Sequence, residues 1–188
     1  MTNTSTILQL LTDKNKQRIV SYSENQPYTL EDLQKYTHLI RQLIIQQSNK
    51  KWVLAVEDIF SFTAGFLALA SLNCTIILPP NLKQGAIEDI YYGDENILTD
   101  KSYESTRFFI TSMPPFQATA EILPIHQQIS APTNLPAPAN CKLQMFTSGS
   151  SGEPKSITKT LQNLEEELKV LEKNWGNLTD KTVFFSTV

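Results

Sequence analysis

An α/β fold built on parallel strands is predicted for this 188-residue chain, and three observations predict it. Strand-like and helix-like segments alternate between Trp52 and Leu78 at the spacing of a βαβ unit. A loop rich in glycine and serine, residues 147–155, is flanked on both sides by strand-like sequence. The composition is 40% hydrophobic and 19% charged, enough apolar sequence for one ordinary core.

Each element has a local reason. Arg18 to Ser23 reads as a short strand. Thr29 can cap a helix with Glu31 and Asp32 in its first turn, and Leu33, Tyr36, Ile40, Leu43 and Ile44 continue it at helical spacing. Trp52 to Val56 is a compact strand, Asp58 caps a helix from Ile59 to Leu72, and Cys74 to Leu78 is a strand stopped by Pro79 and Pro80. A helix is expected over Gln84 to Tyr92, then short strands at Asn96 to Leu98 and Arg107 to Ile110. The proline-bearing stretch 131–140 reads as an extended connector, either a domain boundary or a loop within one domain. Leu143 to Phe146 is a strand entering the loop, and Ser156 to Thr160 a strand leaving it. The next helix places Leu161, Leu164, Leu168, Leu171 and Trp175 along one face, a stripe expected to face the core. Thr182 to Val188 reads as a further apolar strand, and there is no internal repeat.

Several function classes are disfavoured. Net charge is -3, and no basic cluster offers a nucleic-acid footprint. Ser61, Thr63, Ser71, Asn73 and Thr75 interrupt the apolar run from Ile59 to Leu78, so no membrane span is expected. The N-terminal Met1 to Thr6 lacks a secretory signal, which fits a cytoplasmic location. Cys74 and Cys141 read as reduced thiols, and with His38 and His126 they lack zinc-site spacing. His38 reads as a surface residue, His126 has no catalytic partner nearby, and Asp94 and Glu95 read as turn residues.

The loop Thr147-Ser148-Gly149-Ser150-Ser151-Gly152-Glu153-Pro154-Lys155 carries the chemistry. Two glycines expose backbone N–H groups, the hydroxyls are neutral donors and the lysine adds a cation, which together suit a polyphosphate. A merely flexible turn has no need of a fixed φ beside a cation. A Walker A loop fails on spacing, because counting from Gly149 the second glycine falls on Pro154. The strand expected after Lys155 also removes the helix N-terminus such loops exploit.

This loop resembles the phosphate-binding signature of the adenylate-forming (AMP-binding) superfamily, which includes acyl-CoA synthetases and adenylation domains, and it agrees at every position. The segment Ile157 to Leu164 is similar to the strand and helix start that follow, with Thr160 or Leu161 where a histidine is common. Pro27 to Leu33 and Ala64 to Pro79 resemble earlier family segments in the correct order.

The resemblance implies the N-terminal subdomain of that fold, with the phosphate loop between two strands. It implies activation of a carboxylic acid with ATP to an acyl-adenylate, then transfer to a thiol of CoA or of a phosphopantetheine-bearing acyl carrier protein. Thr147, Ser148, Gly149, Ser150, Ser151, Gly152 and Lys155 would hold the ATP phosphates. Catalytic residues and Mg²⁺ ligands are expected beyond Val188, with residues 1–188 the incomplete N-terminal part of a ligase and inactive alone. The competing expectation is a stand-alone nucleotide-binding regulatory module, or one half of a split ligase. A structural domain with a vestigial loop is a third.

Overall fold

The computed structural model describes residues 7–23, 26–104, 108–116, 132–147 and 155–176. A short 3₁₀ turn at Leu8–Leu11 precedes a two-stranded antiparallel ribbon, β1 (Ile19–Ser23) and β2 (Gln26–Thr29). Helix α1 (Leu30–Ile45) follows at once. Thr29 and Asp32 form a reciprocal capping box: the Asp32 amide donates to Thr29 Oγ1 at 3.2 Å and the Thr29 amide donates to the Asp32 carboxylate at 2.9 Å. Two helix-end N–H groups are thereby satisfied.

The central sheet is built from β3 (Lys51–Ala55), β4 (Thr75–Leu78), β5 (Asn96–Thr99), β6 (Phe109–Ser112), β7 (Lys142–Thr147) and β8 (Lys155–Thr160). Its strand order is β6-β5-β3-β4-β7-β8, parallel throughout except for the antiparallel pair β7–β8. Helices α2 (Ile59–Ser71) and α3 (Gln84–Glu88) connect the strands, and α4 (Leu161–Trp175) follows the sheet. The predicted parallel βαβ unit is β3–α2–β4.

A strand at the centre of a parallel sheet is covered on both faces and must be apolar on both. Residues 52–55 of β3 meet that demand, all being buried. Alternation sends Trp52 and Leu54 into one layer with α1 and α2, and Val53 and Ala55 into the other with Ile87, Ile90 and Tyr91. Helix α2 lies close against the sheet at Gly65. A Cβ there would stand 3.0 Å from Leu54 Cδ1 and 3.2 Å from Leu98 Cδ2.

Three expectations need correction. Helix α3 ends at Glu88 instead of Tyr92. The amides of Tyr92 and Gly93 donate to the Glu95 carboxylate, and Gly93 has a φ of 99°, so the chain turns there. The strand expected at Arg107 starts at Phe109, and Arg107 lies outside the described residues. The stripe on α4 faces the core only in its first turn. Leu161 is fully buried and Leu164 packs against the core, whereas Leu168, Leu171 and Trp175 are exposed. The strand expected at Thr182 to Val188, and His126, also lie outside the described residues.

No helix among the described residues is long and apolar enough to cross a membrane. Close packing of the α2 layer makes Leu54 sensitive to truncation. Leu54→Ala is expected to lower unfolding stability by roughly 2–5 kcal/mol, read as a lower urea midpoint with an unchanged slope. A loss below about 1 kcal/mol would show that this layer is loosely packed.

Candidate functional site

Parallel strands all end at the same side of a sheet, and open α/β sheets hold their ligands outside those carboxyl ends. In this chain the ends of β3, β5, β6 and β7 share that edge, which follows from their parallel pairing. Two features of interest lie along it.

The first is the β7–β8 hairpin. Its register runs without interruption from Lys142 opposite Thr160 to Thr147 opposite Lys155. Residues facing each other across an antiparallel pair have Cα atoms about 5 Å apart. Thr147 and Lys155 are therefore brought together although eight positions separate them in sequence. The seven residues 148–154 that join them, including Ser148, Gly149, Ser150, Ser151 and Gly152, lie outside the described residues. Lys155 itself is exposed.

The hairpin is anchored at its far end. The Leu161 amide donates to the Cys141 carbonyl at 3.0 Å, and the Gln162 amide to the Pro138 carbonyl at 3.2 Å. Thr160 caps α4 through a second reciprocal box with Asn163. The Thr160 hydroxyl therefore has a structural task here. At the start of the hairpin, Cys141 sits beside Cys74, its Sγ 3.8 Å from the Cys74 carbonyl. Burial, with Cys74 adding to it, pushes the Cys141 thiol up to about 12. Burial also raises the Cys74 thiol.

The second feature is a cavity of about 250 Å³ bordered by Asp58 after β3, Asp100 after β5 and Met113 to Phe116 after β6. It occupies the switch point of the sheet, because the chain leaves β3 toward β4 on one side and later returns to β5 on the other. The Asp100 carboxylate accepts from the amides of Glu57 and Asp58 at 3.1–3.2 Å, tying the two strand exits together. Asp58 accepts from the Ser61 amide at 2.7 Å as the cap of α2. The Tyr36 hydroxyl donates to the Pro114 carbonyl at 2.7 Å, and burial raises its pKa.

Sequence reasoning gave Asp58 only as a helix cap and did not single out Asp100. The available signal was an aspartate just after each of two apolar strands, at Val56-Glu57-Asp58 and Thr99-Asp100. Elsewhere, Glu95 is buried and accepts two amide hydrogens, while exposed Asp94 pairs with Lys51 at 2.6 Å. Both serve the turn. His38 is half-buried on α1, and among the described residues no three His, Cys, Asp or Glu side chains cluster to hold a metal.

The thiol environment makes a direct prediction. At mildly alkaline pH both cysteines should resist a soluble disulfide reagent in the native protein and react in concentrated guanidinium chloride. Rapid native labelling of Cys141 would contradict the buried hairpin base.

No protein-family model matches the chain, and no curated protein matches it. Solved structures do. The N-terminal subdomain of NpsA from Klebsiella oxytoca, in complex with 3-hydroxybenzoyl-AMSN, matches 86% of this chain with a TM-score of 0.66 and 14% identity, over 42% of its own chain. The o-succinylbenzoate CoA synthetase MenE from Bacillus subtilis, in complex with the acyl-adenylate intermediate OSB-AMP, matches 94% with a TM-score of 0.67 and 18% identity, over 37% of its own chain. MenE in complex with AMP matches 93% with a TM-score of 0.65 and 20% identity, over 47%. The chain thus spans less than half the length of each of these structures, and it has the fold of the N-terminal subdomain of adenylate-forming enzymes.

Proposed function

We propose that this chain is the N-terminal part of an AMP-forming ligase that activates a carboxylic acid with ATP. The observation that carries the reading is the juxtaposition of Thr147 and Lys155 at the carboxyl edge of a parallel sheet. Between them runs a sequence of glycines and hydroxyls suited to phosphate oxygens. The fold likeness to NpsA and MenE supports it, since those proteins were solved with adenylate-type ligands.

In the proposed reaction a carboxylate oxygen attacks the α-phosphorus of ATP. The bond to the bridging oxygen breaks, and pyrophosphate leaves with that electron pair. Negative charge grows on the departing β- and γ-phosphates. Thr147, Ser148, Ser150 and Ser151 would donate hydroxyl hydrogen bonds to them, Gly149 and Gly152 would let backbone N–H groups approach, and Lys155 would add a point charge. Donors already in place when charge develops lower the barrier without reorganising at that moment. The acyl group would then pass to a thiol of CoA or of a carrier protein. A fusion of NpsA to a carrier domain, also similar to this chain at 15% identity, makes the second acceptor reasonable. Magnesium would offset phosphate charge, but no cluster among the described residues fits it, so no step is assigned to it in this chain. Two buried reduced thiols suit the reducing cytoplasm.

The test is ATP–pyrophosphate exchange with a panel of carboxylic acids, using the longer ligase of which this chain would be part. Lys155→Ala is expected to cut the exchange rate by about 10²-fold or more, with little change in acid binding. Equal losses in both would mean that Lys155 only supports the hairpin. Residues 1–188 alone are expected to give no exchange, and a complete cycle from them would overturn that division of labour.

A further inference from the structure

A second cavity, of about 150 Å³, lies between the 3₁₀ turn with its following loop and helix α1, with Pro132 also lining it. Among the described residues, none that lines it belongs to β7 or β8. Thr37 borders it, is 1% exposed, and carries a hydroxyl with no hydrogen-bond partner among the described residues. That is unusual for its setting. A helical threonine or serine ordinarily turns its hydroxyl back onto the preceding turn. Helix α2 does this twice, with Thr63 donating to the Ile59 carbonyl and Ser71 to the Ala68 carbonyl, each at 2.8 Å. An unpaired buried hydroxyl costs about 1–3 kcal/mol, so a partner from outside the chain would recover that energy.

The charges around the cavity indicate which partner. Among the described residues, Lys14, Lys16 and Arg41 line it against one carboxylate, Asp13. Asp13 is already engaged, pairing with Arg18 at 3.4 Å and accepting from the Asn15 amide at 2.9 Å. Arg41 donates to Ser71 through one nitrogen, and a guanidinium carries five N–H donors in all. The wall is preformed: Gln34 Nε2 donates to the carbonyls of Leu10 and Asp13 at 2.8 and 3.0 Å, holding the loop to the helix. His38 also lines the cavity. Burial, then the neighbouring Arg41, lowers its pKa. The space is roughly ten times what a single water requires.

We propose that this cavity is a binding site for a small oxyanion, a carboxylate or phosphate group, held by Thr37, Arg41, Lys14 and Lys16. The hydroxyl and guanidinium supply directed hydrogen bonds, and the lysines supply screened attraction from the rim. Its existence does not depend on the reading of the hairpin.

The experiment is an NMR titration of the 188-residue chain with inorganic phosphate, and separately with acetate, at constant ionic strength set by chloride. Saturable shifts of the His38 ring signals are expected with at least one anion. The identity of that anion tells a phosphate site from a carboxylate site. Bound anion should raise the His38 pKa, since His38 then faces negative charge in addition to Asp13, Lys14, Lys16 and Arg41. Thr37→Val and the double variant Lys14→Gln/Lys16→Gln are each expected to weaken binding about tenfold. Lys155→Ala should leave it unchanged. Thr37→Val should also leave the anion-free melting temperature equal or higher, because it removes an unpaired hydroxyl. His38 signals unmoved by either anion, equal affinity in the variants, or a lower anion-free melting temperature for Thr37→Val would each overturn the proposal.

Discussion

A parallel sheet covered on both faces confines polar chemistry to its edges, and that constraint organises this molecule. Residues 52–55 of β3 are wholly buried, so nothing charged can be presented from the middle of the strand. Polar side chains can converge only where strands end, and parallel pairing gathers those ends at one side. Asp58, Asp100 and the two ends of the glycine-serine loop all occur there. The antiparallel β8 is what returns the chain to that edge, setting Lys155 opposite Thr147.

Among the described residues β8 is also an edge strand of the sheet, a position that would invite pairing with another chain were it apolar. Lys155 and Lys159 lie on it, and Lys159 pairs with Glu167 of α4. Charge at this position protects the edge. Lys155 can serve both purposes, because a cation at the start of an edge strand is compatible with solvent and with phosphate. At the hairpin base, the buried thiols, the Leu161 contact and the Thr160 cap hold the strands firmly where no ligand is expected. Rigid strands below a polar loop are a reasonable scaffold for gripping a leaving group.

Local signals could be read from the sequence wherever one physical term dominated. Thr29 and Asp58 act as the helix caps their positions suggested, and the β3–α2–β4 unit matches its apolar spacing closely. Failures came where contacts from outside the segment decide. Nothing within Gln84 to Tyr92 announces that Glu95 will draw the Tyr92 and Gly93 amides out of the helix. The α4 stripe has sound amphipathic spacing, but periodicity does not reveal how much of a helix is covered by the rest of the fold, and no residue of α4 after Glu165 is buried. The loop itself was conspicuous by composition, whereas the switch-point cavity was not, because Asp58 and Asp100 are 42 positions apart and meet only through strand order. Likewise, no local pattern marks the Thr37 hydroxyl, which has no hydrogen-bond partner among the described residues.

The central claim is that the chain between Thr147 and Lys155 closes around the pyrophosphate end of a nucleotide. Its most direct measurement is a residue-resolved footprint of ATP and of pyrophosphate on the isotope-labelled protein. Amide signals of residues 147–155 should shift together, saturate and be matched by pyrophosphate alone, while the β1–β2 ribbon stays unchanged. Signals of that segment left unmoved by both ligands, in a protein long enough to include its adenine contacts, would contradict the account.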